Sequence, residues 1–163
     1  MSSTLDHVLR HNAWANTTLL EHCATLGPEA LDLTAPGTYG TLHATLQHIV
    51  GGEQFYLYLL AGERLGAQLR GKRGTIDELR TTAALTGSRS REIAAQDDAD
   101  RVIGDRGSDD WTTVGIVLAQ LVHHGNEHRA QATTILGAHG KPTPKIGAWS
   151  YGIANEISKN DGD

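Results

Sequence analysis

The stretch "HHGNEHRAQ", residues 123–131, places three histidines within six residues of a segment with helical periodicity. Imidazole is both a common metal ligand and the side chain that changes charge near neutral pH. Two histidines at i and i+4 stand one helical turn apart and can present both rings to one ion. His124 and His128 have that spacing. They lack the glutamate of a zincin HExxH, because position 125 is Gly. The spacing alone fits a metal site. It fits more often two core-edge histidines bonded to carbonyls or carboxylates of neighbouring helices.

Helix geometry sorts the three rings. At about 100° per residue from Val114, an apolar stripe of Val117, Leu118, Leu121, Gly125, Ala132, Ile135 and Leu136 falls within about 60°. His128 lies inside that stripe at about 320° and His124 on its edge at about 280°, whereas His123 points away at about 180°. His123 is therefore expected on the surface. A third ligand must come from elsewhere, and the segment around residue 50 offers His43 and His48. Its stripe is Leu42, Leu46, Ile49, Glu53, Tyr56, Leu57 and Leu60. His48 lies about 120° to one side of the centre and His43 about 100° to the other, so periodicity does not choose between them.

Four segments carry helical periodicity, at about 4–26, 41–61, 75–95 and 112–136. Ser3 with Asp6 resembles a capping box, and Gly27-Pro28 stops the first segment. "PGTYG" precedes the second, which Gly62 follows as a C′ residue. Thr75 or Gly74 caps the third, with Asp77 and Glu78 in its first turn. Gly137, Gly140 and Pro142 end the fourth. A polar connection of about 15 residues, "QDDADRVIGDRGSDD", joins the last two and holds a brief extended stretch at 101–103. These elements predict an all-α fold, an antiparallel four-helix bundle, as one domain over 1–157 with a frayed tail at 158–163.

Composition narrows the partners. The 163 residues carry 19 acidic and 14 basic side chains, a formal charge of -5, which argues against a nucleic-acid partner. No apolar run approaches the roughly 18 residues of a membrane span. The opening "MSSTLDHVLRHNAW" lacks the pattern of a signal peptide. The single cysteine, Cys23, permits no internal disulfide and suits a reducing cytoplasm. Cys23 falls on the first helix's apolar stripe with Leu5, Leu9, Leu19 and Leu20, and reads as core. Nine histidines against one methionine and one phenylalanine is an unusual balance.

Several other residues stand out. Glu53 lies near the centre of an apolar stripe and needs a partner. An ion pair with Arg129 or hydrogen bonds to Asn12 and Asn16 is the simplest supply; a general base or an anchor for a ligand is the alternative. Tyr56 reads as core packing more readily than as a member of that polar layer. Gln131 either orients His128 or caps an edge. Trp14, opposite its helix's stripe, must pack under the C-terminal segment or in a dimer contact. Trp149 and Tyr151 are candidates to cover one end of the bundle.

"TLHATLQHIVGGEQFYL", followed about 75 residues later by "LVHHGNEHRAQATTILGAHG", resembles the DinB/YfiT-like superfamily of metal-binding four-helix proteins. "LRHNAWANTTLLEHCATL" resembles its first helix and "KPTPKIGAWSYGI" its C-terminal segment. The resemblance implies a divalent transition metal held by His48, His124 and His128, so it selects His48 over His43. It also implies the bundle fold and a homodimer. Glu127 and Ala130 stand where the family often has His and Gly, and neither is a ligand position.

Three neutral imidazoles leave an ion with open positions, whereas structural zinc is normally closed by four protein ligands. The expected metal is zinc or nickel first, then iron or manganese. The resemblance implies one of two uses, that of metal-dependent thiol transferases or isomerases, which use a low-molecular-weight thiol such as bacillithiol or mycothiol, or that of metal-dependent hydrolases. The leading expectation is an enzyme that activates such a thiol for transfer to a small electrophile. A hydrolase that activates water and a non-enzymatic metal-binding stress protein are the alternatives. No further catalytic or cofactor-binding residue is assigned.

Overall fold

The computed structural model describes residues 2–159. Residues 160–163 of the expected tail lie outside them. Four long helices dominate: α1 (Thr4–Ala24), α2 (Leu42–Ala61), α3 (Ile76–Gln96) and α4 (Val114–Ala138). A short 3-10 helix spans Pro28–Asp32, and a last helix, α5, spans Ala148–Ala154. The chain is mostly helical, as expected.

Local chemistry sets the ends. Side-chain oxygens of Ser3, Thr41, Thr75 and Thr113 accept from backbone N–H groups three residues on and so cap α1 to α4. Thr75 and Glu78 form a full reciprocal capping box, whereas Asp6 returns no such bond to Ser3 among those observed. Gly62 closes α2 in the left-handed conformation at φ 71°, where a side chain would be strained.

The long connection holds more extended structure than expected. Val102–Gly104 (β1) pairs antiparallel with Trp111–Thr113 (β2), Val102 opposite Thr113. The extended stretch expected at 101–103 is therefore real, shifted by one residue. Its partner was read as the start of a helix. Thr112 and Thr113 are β-branched and favour a strand, and the Thr113 hydroxyl then starts α4 two residues later than expected. The brief helix α5 escapes periodicity because it has only seven residues.

α1 packs on α3 and α4, and α2 packs on the same two helices. Leu19, Leu20, Cys23, Leu42, Leu46, Ile49, Leu79, Ile135 and Leu136 form one buried cluster. Leu57, Leu60, Ile93, Val114, Val117 and Leu118 form a second. No helix among the described residues is long and apolar enough to cross a membrane.

The histidine surplus has a structural component. Nε2–H of His11, His22, His43 and His139 donates to the carbonyls of Ile146, Pro142, Gly74 and Thr34, at 2.8–2.9 Å. Each ties a connecting segment to a helix or a helix end. Tyr151 is buried against Trp14 and His11, with ring centroids at 5.6 and 5.8 Å. Trp14 thus packs under the C-terminal segment, one of its two expected places, while Trp149 stays exposed.

Candidate metal centre

α2 supplies His48; α4 supplies His124 and, one turn on, His128. One ligand atom from each ring lies within 4.8 Å of the others, and the group could hold a metal ion. His124 and His128 are 8 % exposed, and His48 is half-buried. Of the two histidines that periodicity left open, His48 lies in this group, whereas His43 is buried against Gly74. His123 is exposed, with Glu127 at 3.9 Å.

Hydrogen bonds define where the protons sit. Gln131 Oε1 accepts the backbone N–H of Tyr39 at 3.0 Å and faces Nδ1 of His128 at 3.0 Å. An oxygen in that place accepts from Nδ1–H of His128, which leaves Nε2 as the ring's other nitrogen for a ligand bond. Gln131 is thus an orienting residue, one of its two expected roles. Nε2 of His48 and Nε2 of His124 lie 3.0 Å apart. Nδ1 of His124 is buried and has no partner among the described residues. Burial first, and then the neighbouring imidazoles, push the pKa of His124 down to about 4. Burial and His128 push His48 down as well. At neutral pH both rings are therefore neutral, the state in which imidazole binds metals. Three clustered imidazoles, with His48 and His124 held neutral, fit a divalent transition metal.

Aromatic rings frame the group. Tyr39 stacks on His48, centroids 3.9 Å apart, and meets His128 edge-on at 5.5 Å. Tyr56 meets His124 edge-on at 5.6 Å. Its hydroxyl faces Gln120, not Glu53. Gly52 lies under the His124 ring, and a methyl group there would collide with it. Sequence reasoning missed Tyr39 and the reason for Gly52. The signal was "PGTYG", an aromatic between glycines directly before α2.

A polar layer adjoins the histidines. Glu53 Oε1 accepts from Nδ2 of Asn12 and of Asn16, at 2.9 and 2.7 Å, and its Oε2 accepts from Thr86 Oγ1. Arg129 Nη1 donates to Oδ1 of both asparagines at 2.7 Å. Glu53 and Arg129 are linked through amides, not by a direct ion pair, and Thr86 of α3 is a partner that the sequence did not single out. Burial raises the Glu53 pKa against the pull of Thr86, Asn12, Arg129 and Asn16. Burial lowers Arg129 to about 10, opposed by Glu53. Gly125, where a zincin has glutamate, makes this layer possible. A Cβ there would lie 2.6 Å from Asn12 Oδ1 and 2.8 Å from Arg129 Nη1. Cys23 is fully buried in the apolar core, and burial pushes its thiol up to about 12.

A mostly helical protein with three histidines from two helices in a group able to hold a metal defines a class. The chain belongs to the DinB family, whose sequence profile matches residues 1–157. A crystal structure of a DinB-like protein from Bacillus cereus ATCC 10987 is similar in fold, with a TM-score of 0.65 at 20 % identity. The match covers 83 % of this chain and 91 % of that one. No curated protein matches the chain in sequence.

Proposed function

We propose that His48, His124 and His128 hold a divalent transition metal, zinc or nickel first, and that the protein is an enzyme. It activates a low-molecular-weight thiol for transfer to a small electrophile. The observation that carries this is the three-imidazole group, in which one ligand atom from each ring lies within 4.8 Å of the others. Three protein donors leave positions for outside molecules. When bound, the ion supplies the positive charge that lowers the pKa of a thiol brought beside it.

The chain's own residues orient and shield. Gln131 holds His128 with Nε2 turned to the group. Tyr39 covers one face of His48. Among the described residues, these three histidines are the only group of three or more histidine, cysteine or carboxylate side chains placed to hold a metal. Glu53 is engaged by Asn12, Asn16 and Thr86. With no carboxylate in the group, the reading favours a nucleophile that ionises easily. A thiol at about 8.5 needs a far smaller shift than water at about 15.7.

We read the four long helices as an antiparallel four-helix bundle, and the protein as a cytoplasmic homodimer. Leu5, Val8 and Ile116 are exposed, and Leu5 and Val8 border an apolar groove with Val114 and Leu118 that a second copy would cover.

Elemental analysis of the purified protein, then turnover of a chlorinated dinitrobenzene with and without added thiol, tests the reading. Metal-dependent, thiol-dependent product formation that vanishes in His128→Ala is expected. Metal-dependent turnover without thiol would replace thiol transfer by hydrolysis. Bound metal without turnover on any thiol or ester would leave a binding protein.

A further inference from the structure

The segment 64–73 carries Arg64, Arg70, Lys72 and Arg73 and no acidic residue, in a chain whose net charge is -5. It connects α2 to α3 and runs back along α2. Between the two lies an open groove of about 1000 Å³, at the upper end of the range for small-molecule sites. Its floor on α2 includes His48, Gly51 and Phe55, and Tyr39 stands at its side. The groove therefore begins at the half-buried member of the histidine group and ends at the basic segment.

The wall is held in place. Gln47 Nε2 donates to the carbonyls of Leu69 and Lys72, and its Oε1 accepts from Gly74 N–H. Gln54 Nε2 donates to the carbonyls of Leu65 and Ala67. With His43 on Gly74, three side chains of α2 shape a segment that has no regular structure of its own. A Cβ at Gly51 would meet nothing, so the floor beside His48 is open, and Phe55 and Tyr39 are about half exposed there.

Two of the four cations are compensated: Lys72 pairs with Glu78, and Arg73 with Asp32. Arg64 lies over the Tyr58 ring, which leaves its charge intact. Arg70 has no carboxylate partner among the ion pairs of the described residues. Guanidinium groups bind carboxylates and phosphates through paired N–H donors.

We infer that this groove binds the anionic end, a carboxylate or a phosphate, of a small molecule whose other end reaches the three histidines. The inference rests on the metal reading for what happens at that other end, but not for the anion site.

The test titrates the full chain with succinate and with inorganic phosphate, following backbone amides by NMR, with metal content measured separately. Saturable shifts centred on Gly66, Arg70 and Gly71 are expected. Affinity should fall about tenfold in an Arg64→Ala/Arg70→Ala variant, as for loss of about 1.4 kcal/mol, and should fall with added salt. Arg106→Ala, a cation outside the groove, should bind as wild type does. Metal content should be unchanged in the Arg64→Ala/Arg70→Ala variant. Preference for phosphate or succinate identifies which anion the site takes. No saturable shift, or equal affinity in wild type and the double variant, overturns the inference. His128→Ala separates the two readings, because it removes a proposed ligand and leaves the groove lining intact. Anion binding there with no metal in any variant would refute the metal reading alone.

Discussion

His48 and Glu53 stand five residues apart on α2, and His128 and Arg129 are neighbours on α4. Both pairs lie in the polar interior between helices, yet they are opposite in kind. Around Glu53 and Arg129 the chain supplies its own partners: Asn12 and Asn16 from α1 and Thr86 from α3. Around His48, His124 and His128 the side chain from outside the group that bonds a ring nitrogen is that of Gln131. Nε2 of His48 faces Nε2 of His124 at 3.0 Å, and Nδ1 of His124 has no partner among the described residues. Buried polar groups are nearly always satisfied, and each exception calls for an explanation. A layer that closes on itself specifies how the helices pack. A cluster that does not close is a place for something from outside.

The comparison predicts a double dissociation. Glu53→Ala leaves the amides of Asn12 and Asn16 and the Thr86 hydroxyl without their acceptor. A buried donor left unsatisfied costs about 1–3 kcal/mol, so urea or thermal unfolding should show a loss of at least that size. His124→Ala or His128→Ala should instead lose bound metal in elemental analysis while the metal-free fold stays helical by circular dichroism. Wild type should gain about 2.7 kcal/mol at a metal concentration of 100 Kd, and these variants should gain none. If chelation unfolds the wild type, the histidine group is structural and the contrast fails.

Two glycines sharpen the same contrast at smaller cost. Gly125→Ala drives a methyl into Asn12 and Arg129. Overpacking of this kind costs about 1–3 kcal/mol, and denaturant midpoints should drop with metal affinity held near wild type. Gly52→Ala pushes on the His124 ring. It should weaken metal binding more than it lowers the midpoint. Equal effects of both substitutions on both measurements would show that the two regions are one.

Acid separates the regions by sign. His124 in the folded chain resists protonation down to about 4, whereas an unfolded imidazole takes a proton near 6.5. The unfolded state therefore binds more protons between these values, and stability present above about 6.5 is lost as pH falls toward 4. Glu53 acts the other way. Its raised pKa means that the folded state takes up the proton first, so its contribution grows as pH falls toward the ordinary carboxyl range. In metal-free protein the acid loss between pH 6.5 and 4 should shrink by up to about 3 kcal/mol in His124→Ala. In Glu53→Gln it should steepen. Denaturant midpoints across that range measure both.

The helices were legible because their signals are local. Caps at Thr41 and Thr75, the stop at Gly62 and the 3.6-residue stripe lie within the segments they define. The inward turn of His124 and His128 and the exposure of His123 follow from the same periodicity. The choice of His48 over His43 was not in the stripe, which places them almost symmetrically. It depends on where the 64–73 segment returns, since Gly74 takes up His43. Tyr39 and Thr86 were hidden for a related reason: each acts on a residue far along the chain, Gln131 and Glu53. The strand pair is local, but with three residues a side it is too short to show a pattern. Four loop-tying histidines were likewise invisible, because a carbonyl acceptor leaves no mark in the sequence.

The smallest expected effect concerns Cys23, and it tests whether the chemistry is confined to the open cluster. A thiolate is the reactive form of cysteine, and burial raises this thiol to about 12. It packs in the apolar core with Leu19 and Leu20, apart from both polar regions. At pH 8 the native protein should leave Cys23 unmodified by a thiol reagent, and urea should expose it to full labelling. Cys23→Ala should keep metal content and thiol-dependent turnover at wild-type levels, with a loss in stability of about 1 kcal/mol for the small cavity. Rapid native labelling, or loss of turnover in Cys23→Ala with the metal retained, would move the nucleophile into the protein. The open cluster would then serve a thiol of the chain itself, and the need for an added one would disappear.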